Sequence, residues 1–325
     1  MQYPKFLNNN STIGVVALSA GVGDNLDEYK QSINNLEKNF KVVETASVRN
    51  KGERPASGET RANELDKLVL DNDVDLVMCA SGGDFLYEIL PYVNLDNIKN
   101  NPKWYMGASD PTSILYMITT ICDIATMYGF NAHSYNQSDL DKCQKISIDY
   151  IKGNIIKQDS YPMYESNKSL RVNNNLCLDT EVYWESLNGE VDITGRMIGG
   201  CFECLRNLLG TRFDNTANFI EKYKEDGIIF YFDIFSTEAS EFYLTMLQMK
   251  EAGWFKYLKG IVVGRVLFPK EEVMTYQEAL RDAFDVPIIF NADIGHVYPK
   301  MTIINGSICH VTCSNGSGSL EFELR

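Results

Sequence analysis

Three short runs of β-branched and aliphatic residues, TIGVVALS (12–19), KVVETASV (41–48) and VDLVMCAS (74–81), alternate with the amphipathic segments NLDEYKQSINNLEKNF (25–40) and SGETRANELDKLVLDN (57–72). Strands joined in parallel need helical crossovers and are buried on both faces, so they read as apolar runs separated by amphipathic ones. The expectation for the first half is a set of βαβ units around a parallel sheet. Ser57 or Thr60 can cap a helix in the second amphipathic segment, with Leu65, Leu68 and Leu70 at helical spacing. The third run ends in Ser81-Gly82-Gly83-Asp84, a turn at the carboxyl edge, where open α/β sheets bind their ligands.

Periodicity fades between about 151 and 180, in a polar stretch rich in Asn, Ser and Lys. With 325 residues the chain exceeds what one core fills, so this stretch reads as the crossing between two domains, 1–160 and 175–325. The second half resumes with DITGRMIGGCFECLRNLLGT, read as strand, glycine turn and helix. GIIFYFDIF (strand), ASEFYLTMLQMKEAG (helix closing on Gly253), LKGIVVGRVL (strand), YQEALRDAF (helix) and VPIIFNADIGH (strand) follow. The Asn-Gly and Gly-Ser pairs of MTIINGSICHVTCSNGSGSLEFELR predict antiparallel hairpins. The class is α/β, a parallel-sheet N-terminal domain followed by a mixed α/β C-terminal one.

Charge and cysteine usage narrow the partners. A net charge of −14 repels phosphate backbones and anionic lipid, which argues against nucleic acid and membrane surfaces. The start MQYPKFLNNNSTIG lacks an apolar signal core and no run of about eighteen apolar residues occurs, so the expected location is the cytoplasm. Eight scattered cysteines read as buried thiols. Cys201-Phe-Glu-Cys204 lacks a second ligand pair at zinc spacing, and no metal is expected. SAGVGD (19–24) lacks the third glycine of a dinucleotide loop and the Gly-Lys-Ser/Thr of a P-loop, so no cofactor is expected either. EKYKED (221–226) reads as a solvated helix end.

The chemistry centres on WYMGASDPTSIL (104–115). Apolar WYMGA followed by Ser-Asp-Pro-Thr-Ser and the buried run ILYMITTICDIATMYG predicts a strand, a sharp turn and a helix with Pro111 in its first turn. Ser109 then sits at a helix N-terminus, where free N–H groups favour a developing negative charge. It reads either as an N-cap or as a nucleophile on a tight elbow, although G-x-S-D-P is not G-x-S-x-G. Of three histidines, His296 in NADIGHVYPKMT is placed by Gly295 and Pro299 in a loop near a sheet edge and is the preferred base. His310 reads as a core or edge-strand residue and His133 as a loop residue. Asp233, closing the apolar run IIFYFD, is the candidate orienting carboxylate, since a buried acid needs a partner. Gly82-Gly83 can lend a backbone N–H to an oxyanion, with the Asp110 N–H as second donor.

In order, GGDFLYEILPY, NPKWYMGASDPT, GRMIGG, GIVVGR and DIGHVYPKMT resemble the LD-carboxypeptidase family of serine peptidases, which includes murein tetrapeptide carboxypeptidases and microcin C immunity proteins. The resemblance runs from TIGVVALS to the C-terminal hairpin. It implies a Ser-Glu-His triad in a cleft between an N-terminal α/β domain and a mixed C-terminal domain, often in a homodimer. The family serine falls on Ser109, its histidine on His296, and its oxyanion donors on Gly83 and Asp110. Its glutamate falls on Asp233 in an ungapped alignment, one methylene short; a shift of one would place Phe232 there. Cys201 stands where the family usually has asparagine after Gly-Gly. The implied reaction is release of D-alanine from a murein tetrapeptide. The alternatives are cleavage of a peptidyl nucleotide for self-immunity, with Trp184 or Tyr183 as an aromatic clamp, and a catalytically silent binding protein.

Overall fold

The computed structural model describes residues 1–325. Its first half contains strands β1 (Thr12–Val16), β2 (Lys41–Glu44), β3 (Leu76–Cys79), β4 (Trp104–Gly107) and β5 (Thr126–Tyr128). Helices α1 (Leu26–Leu36), α2 (Gly58–Leu70), α3 (Leu95–Asn100), α4 (Thr112–Met117) and α5 (Lys142–Ile151) complete it. The five strands pair in parallel in the order β2-β1-β3-β4-β5. β1, β3 and β4 are buried along their whole length, as crossover helices on both faces require. Ser57 caps α2 by accepting from the Thr60 N–H. Leu65 and Leu68 of that helix are buried while Leu70 stays exposed, Val69 facing the core in its place.

The second half holds β6 (Gln158–Asp159), β7 (Met163–Tyr164), β8 (Thr180–Glu181), β9 (Glu185–Ser186), β10 (Val191–Cys201), β11 (Ile228–Asp233), β12 (Leu258–Gly264), β13 (Ile288–Ala292), β14 (Ile303–Asn305), β15 (Ile308–Ser314) and β16 (Ser317–Glu323). Its helices are α6 (Phe202–Leu208), α7 (Thr216–Lys222), α8 (Ala239–Glu251) and α9 (Tyr276–Ala283). Eight strands form one mixed sheet, β6-β16-β15-β10-β11-β12-β13-β9, parallel from β10 to β13. No helix is long and apolar enough to cross a membrane.

Three local expectations are corrected. Gly199 and Gly200 make no turn but lie inside β10; a Cβ on Gly199 would come within 1.9 Å of the Tyr231 carbonyl oxygen, so glycine serves close strand approach. The buried run after Ser109 is a helix only to Met117. It then loosens into a wider turn through Cys122, reverses at left-handed Asp123 and becomes β5. Within the polar stretch 151–180, β6 joins the edge of the second sheet and β7 pairs with β8.

The C-terminal turns differ as well. Only β15 and β16 form a hairpin. At Asn305-Gly306 the chain leaves β14, which pairs antiparallel with β5 of the first sheet, and enters β15 of the second. Asn305 is the reason: its buried amide accepts from the Gly199 N–H (3.2 Å) and donates to Thr126 Oγ1 (3.4 Å), joining the two sheets. Two further ties fix α4 against the second half. Thr112 Oγ1 accepts from the Cys201 N–H (2.9 Å), and Tyr116 stacks on Trp254 with ring centroids 5.4 Å apart. Such aromatic pairs contribute about 1 kcal/mol beyond their buried area.

Candidate active site

Ser109 follows β4 with φ of +68°, a left-handed conformation that is strained for any residue with a Cβ. Its side chain caps nothing. Pro111 occupies the N-cap position of α4 without a side-chain bond, so the capping alternative is set aside. The elbow instead aims Oγ at His296 Nε2, 3.0 Å away. The other ring nitrogen of His296, Nδ1, stands 2.9 Å from the Asp233 carboxylate.

Asp233 ends β11 beside Cys201 at the end of β10, and is wholly buried. As a buried acid requires, it has partners, His296 and Tyr128. Burial pushes its pKa up. The His296 charge and the hydrogen bonds from His296 and Tyr128 outweigh that and hold the carboxyl below the usual carboxylate range. Gly295 makes the close approach of His296 and Asp233 feasible. Its φ is +101°, and a Cβ there would lie 2.1 Å from Asp233 Oδ1.

Tyr128 was not foreseen. It accepts the Ser109 N–H (3.1 Å) and donates its hydroxyl to Asp233 Oδ2, bridging the Ser109 turn and the carboxylate from the end of β5. The register pairing Gly107 with Tyr128 puts it there, a relation invisible in one dimension. Glu203 was also missed. It accepts the N–H groups of Ser236 (2.9 Å) and Thr237 (2.9 Å) and so shapes the loop after Asp233. Phe235 from that loop stands edge-on to His296, ring centroids 5.0 Å apart.

Gly82, Gly83 and Asp110 line the same cavity, of about 520 Å³, as Ser109, Asp233 and His296. The N–H groups of Gly83 and Asp110 donate to no group of the chain, so both can serve an incoming oxygen. The Asp110 side chain braces this corner, accepting from the Leu86 N–H (2.7 Å) just past the Gly-Gly turn and from the Ser19 hydroxyl.

Burial raises the Asp110 pKa to about 6 against those hydrogen bonds. A carboxyl whose folded pKa exceeds its unfolded value binds more protons when folded, so its effect on stability improves as pH falls. Relative to Asp110→Asn, the wild type should therefore gain on the order of 2 kcal/mol between pH 7 and pH 4. Urea unfolding of both proteins at pH 4.5 and 7.5 measures this; a pH-independent difference would show that folding leaves the Asp110 carboxyl at its ordinary pKa.

The remaining candidates lie apart or play other parts. Trp184 is not a clamp. It is fully buried and its indole donates to Asp293 (2.9 Å), because the tryptophan fills the core under β16. Tyr183 is 65 % exposed and lines a neighbouring cavity of about 670 Å³. His310, on β15, meets Asp192 at 2.8 Å. His133 lines the Ser109 cavity with Nδ1 3.1 Å from the Ala80 carbonyl, and burial lowers its pKa to about 4. Cys201 and Cys204 also face the cavity as free thiols. No group of three His, Cys, Asp or Glu side chains comes together to hold a metal.

Models of the LD-carboxypeptidase N-terminal and C-terminal domains match residues 13–129 and 194–311 respectively. The chain belongs to the LD-carboxypeptidase family. Among curated relatives, the microcin C7 self-immunity protein MccF of Escherichia coli is 26% identical over 82% of this chain and 79% of its own length. A probable murein peptide carboxypeptidase of Bacillus subtilis is 22% identical over 98% and 94%. An MccF-like protein from Bacillus anthracis has the same fold, with a TM-score of 0.85 at 20% identity over 100% of both chains. So does an MccF-like protein from Streptococcus pneumoniae, solved in complex with AMP, with 0.78 at 24% over 96% and 98%. This family peptidase fold therefore spans both halves of the chain.

Proposed function

We propose that this LD-carboxypeptidase family member is a serine-type carboxypeptidase that releases D-alanine from a murein tetrapeptide. The observation that carries the reading is the unbroken line Asp233–His296–Ser109, with contacts of 2.9 and 3.0 Å. Asp233 fixes the imidazole tautomer with the proton on Nδ1, leaving Nε2 to take the Ser109 proton as Oγ attacks the carbonyl carbon. The Gly83 and Asp110 N–H groups hold the tetrahedral oxyanion. His296 passes its proton to the departing amine, and water, activated in turn by His296, releases the acyl group. No step calls for a metal or cofactor. The reading includes the division into 1–160 and 175–325 with the site in the cleft between them. It places the enzyme in the cytoplasm, as a homodimer, in cell-wall recycling.

A second reading is hydrolysis of a peptidyl nucleotide, as in microcin self-immunity. It is supported by the MccF relative and by structural neighbours solved with AMP and with sulfamoyl nucleotides.

A fluorophosphonate probe should label the wild-type protein once per chain, at Ser109, and the tetrapeptide should yield one D-alanine per turnover with EDTA present. Labelling of another residue, or activity that EDTA removes, would sink the serine mechanism. Turnover of an aminoacyl sulfamoyl nucleotide with the tetrapeptide untouched would favour the second reading.

A further inference from the structure

A buried cation stands in the same cavity without a partner. Lys300 follows His296 by four residues, is 6 % exposed and lines the cavity with Ser109, Asp233 and His296. Its Nζ lies over the Phe130 and Tyr298 rings, 5.1 and 4.8 Å from their centroids, and makes no hydrogen bond or ion pair within the chain. Ring faces hold an ammonium but do not neutralise it.

The charges that face it leave it unsatisfied. Asp233 is taken up by His296 and Tyr128. Lys168, which lines the same cavity, and Arg171 are cations themselves, and Arg171 is paired with Glu165. Glu203 is committed to the backbone of 235–237, and neither Glu53 nor Asp84, which also line the cavity, pairs with Lys300. A desolvated, unpaired charge is costly in the empty site, and that cost is relieved when an anion binds. Burial lowers the Lys300 pKa to about 8, so the side chain remains largely charged at neutral pH.

We propose that Lys300 is the anchor for an oxyanionic group of the substrate, a carboxylate or a phosphate carried close to the scissile amide. The inference deepens the carboxypeptidase reading and rests on it, since it takes this cavity to be where substrate lies. A neutral analogue would seal the ammonium away from water with nothing to meet it, so discrimination against such an analogue should be strong.

Binding tests this without requiring turnover. Wild type, Lys300→Met and Lys300→Gln are titrated by calorimetry with N-acetyl-D-alanine, N-acetyl-D-alaninamide and adenosine monophosphate. The wild type should bind at least one of the two anions tenfold or more tighter than the amide, and both variants should lose that preference. Preference for N-acetyl-D-alanine identifies a terminal carboxylate as the natural group, and preference for the nucleotide identifies a phosphate. No anion preference in the wild type, or a preference that survives in a folded variant, overturns the proposal. Fluorophosphonate labelling separates the two readings. Failed labelling with the anion preference intact sinks the peptidase and keeps the anchor, whereas normal labelling without the preference does the reverse.

Discussion

Ser109→Ala should lower kcat for amide hydrolysis by at least about 10⁴-fold, abolish probe labelling and leave the melting temperature within a degree or two of wild type. His296→Ala should do comparable damage, and the double variant should be no worse than either single one, because the two side chains act as one unit. Stability should hold because the hydroxyl bonds only to His296 and caps no helix, so its removal leaves no backbone N–H unsatisfied. Had Ser109 been a cap, the pattern would invert: about 1 kcal/mol of stability lost and turnover retained. The comparison of kcat with melting temperature thus reads out the role of the side chain. Turnover that survives Ser109→Ala would rule out the covalent route.

The parts of this molecule legible in one dimension are those where local periodicity and burial coincide. β1, β3 and β4 are apolar along their whole length because both faces are covered, and the Ser109 elbow announces itself as small residues wedged between an apolar strand and Pro111. Residue context also singled out Asp233 and His296, the family's motifs fall on the same positions, and the structure brings the two together with Ser109. What stayed hidden depends on which strands become neighbours. Tyr128 reaches Asp233 only because β5 lies beside β4. Gly199-Gly200 looks like a turn until Tyr231 is known to pass against it. Asn305-Gly306 has a hairpin's sequence, yet its asparagine side chain binds both sheets and sends the chain from one to the other. Trp184 looked like a surface clamp, and the partner that buries it, Asp293, lies 109 residues away. Lys300 was unremarkable in HVYPKMT because burial without a counter-charge is a tertiary property.

Asp233→Asn should lower kcat by about 10⁴-fold while leaving the protein folded. The asparagine can still accept from Tyr128, but the atom it turns to His296 Nδ1 is then an amide nitrogen, a donor. The imidazole would carry its proton on Nε2 and could not receive one from Ser109. Asp233→Glu, which places the family's usual residue here, should not restore the rate of any damaged variant and should itself lose about tenfold or more. The site has closed around the shorter acid: Asp233 is fully buried, and Gly295 and Tyr128 press on its two oxygens, so an added methylene must displace one of them. Gly295→Ala tests the same crowding with no change of charge. Its Cβ would stand 2.1 Å from Asp233 Oδ1 at a φ of +101°, driving carboxylate and imidazole apart, and kcat should fall by about 10²-fold or more, since a displacement of about 1 Å suffices for that. If Asp233→Asn kept more than a tenth of wild-type kcat, the imidazole would have to be oriented by something other than this carboxylate, and the close fit at Gly295 would then have no bearing on catalysis.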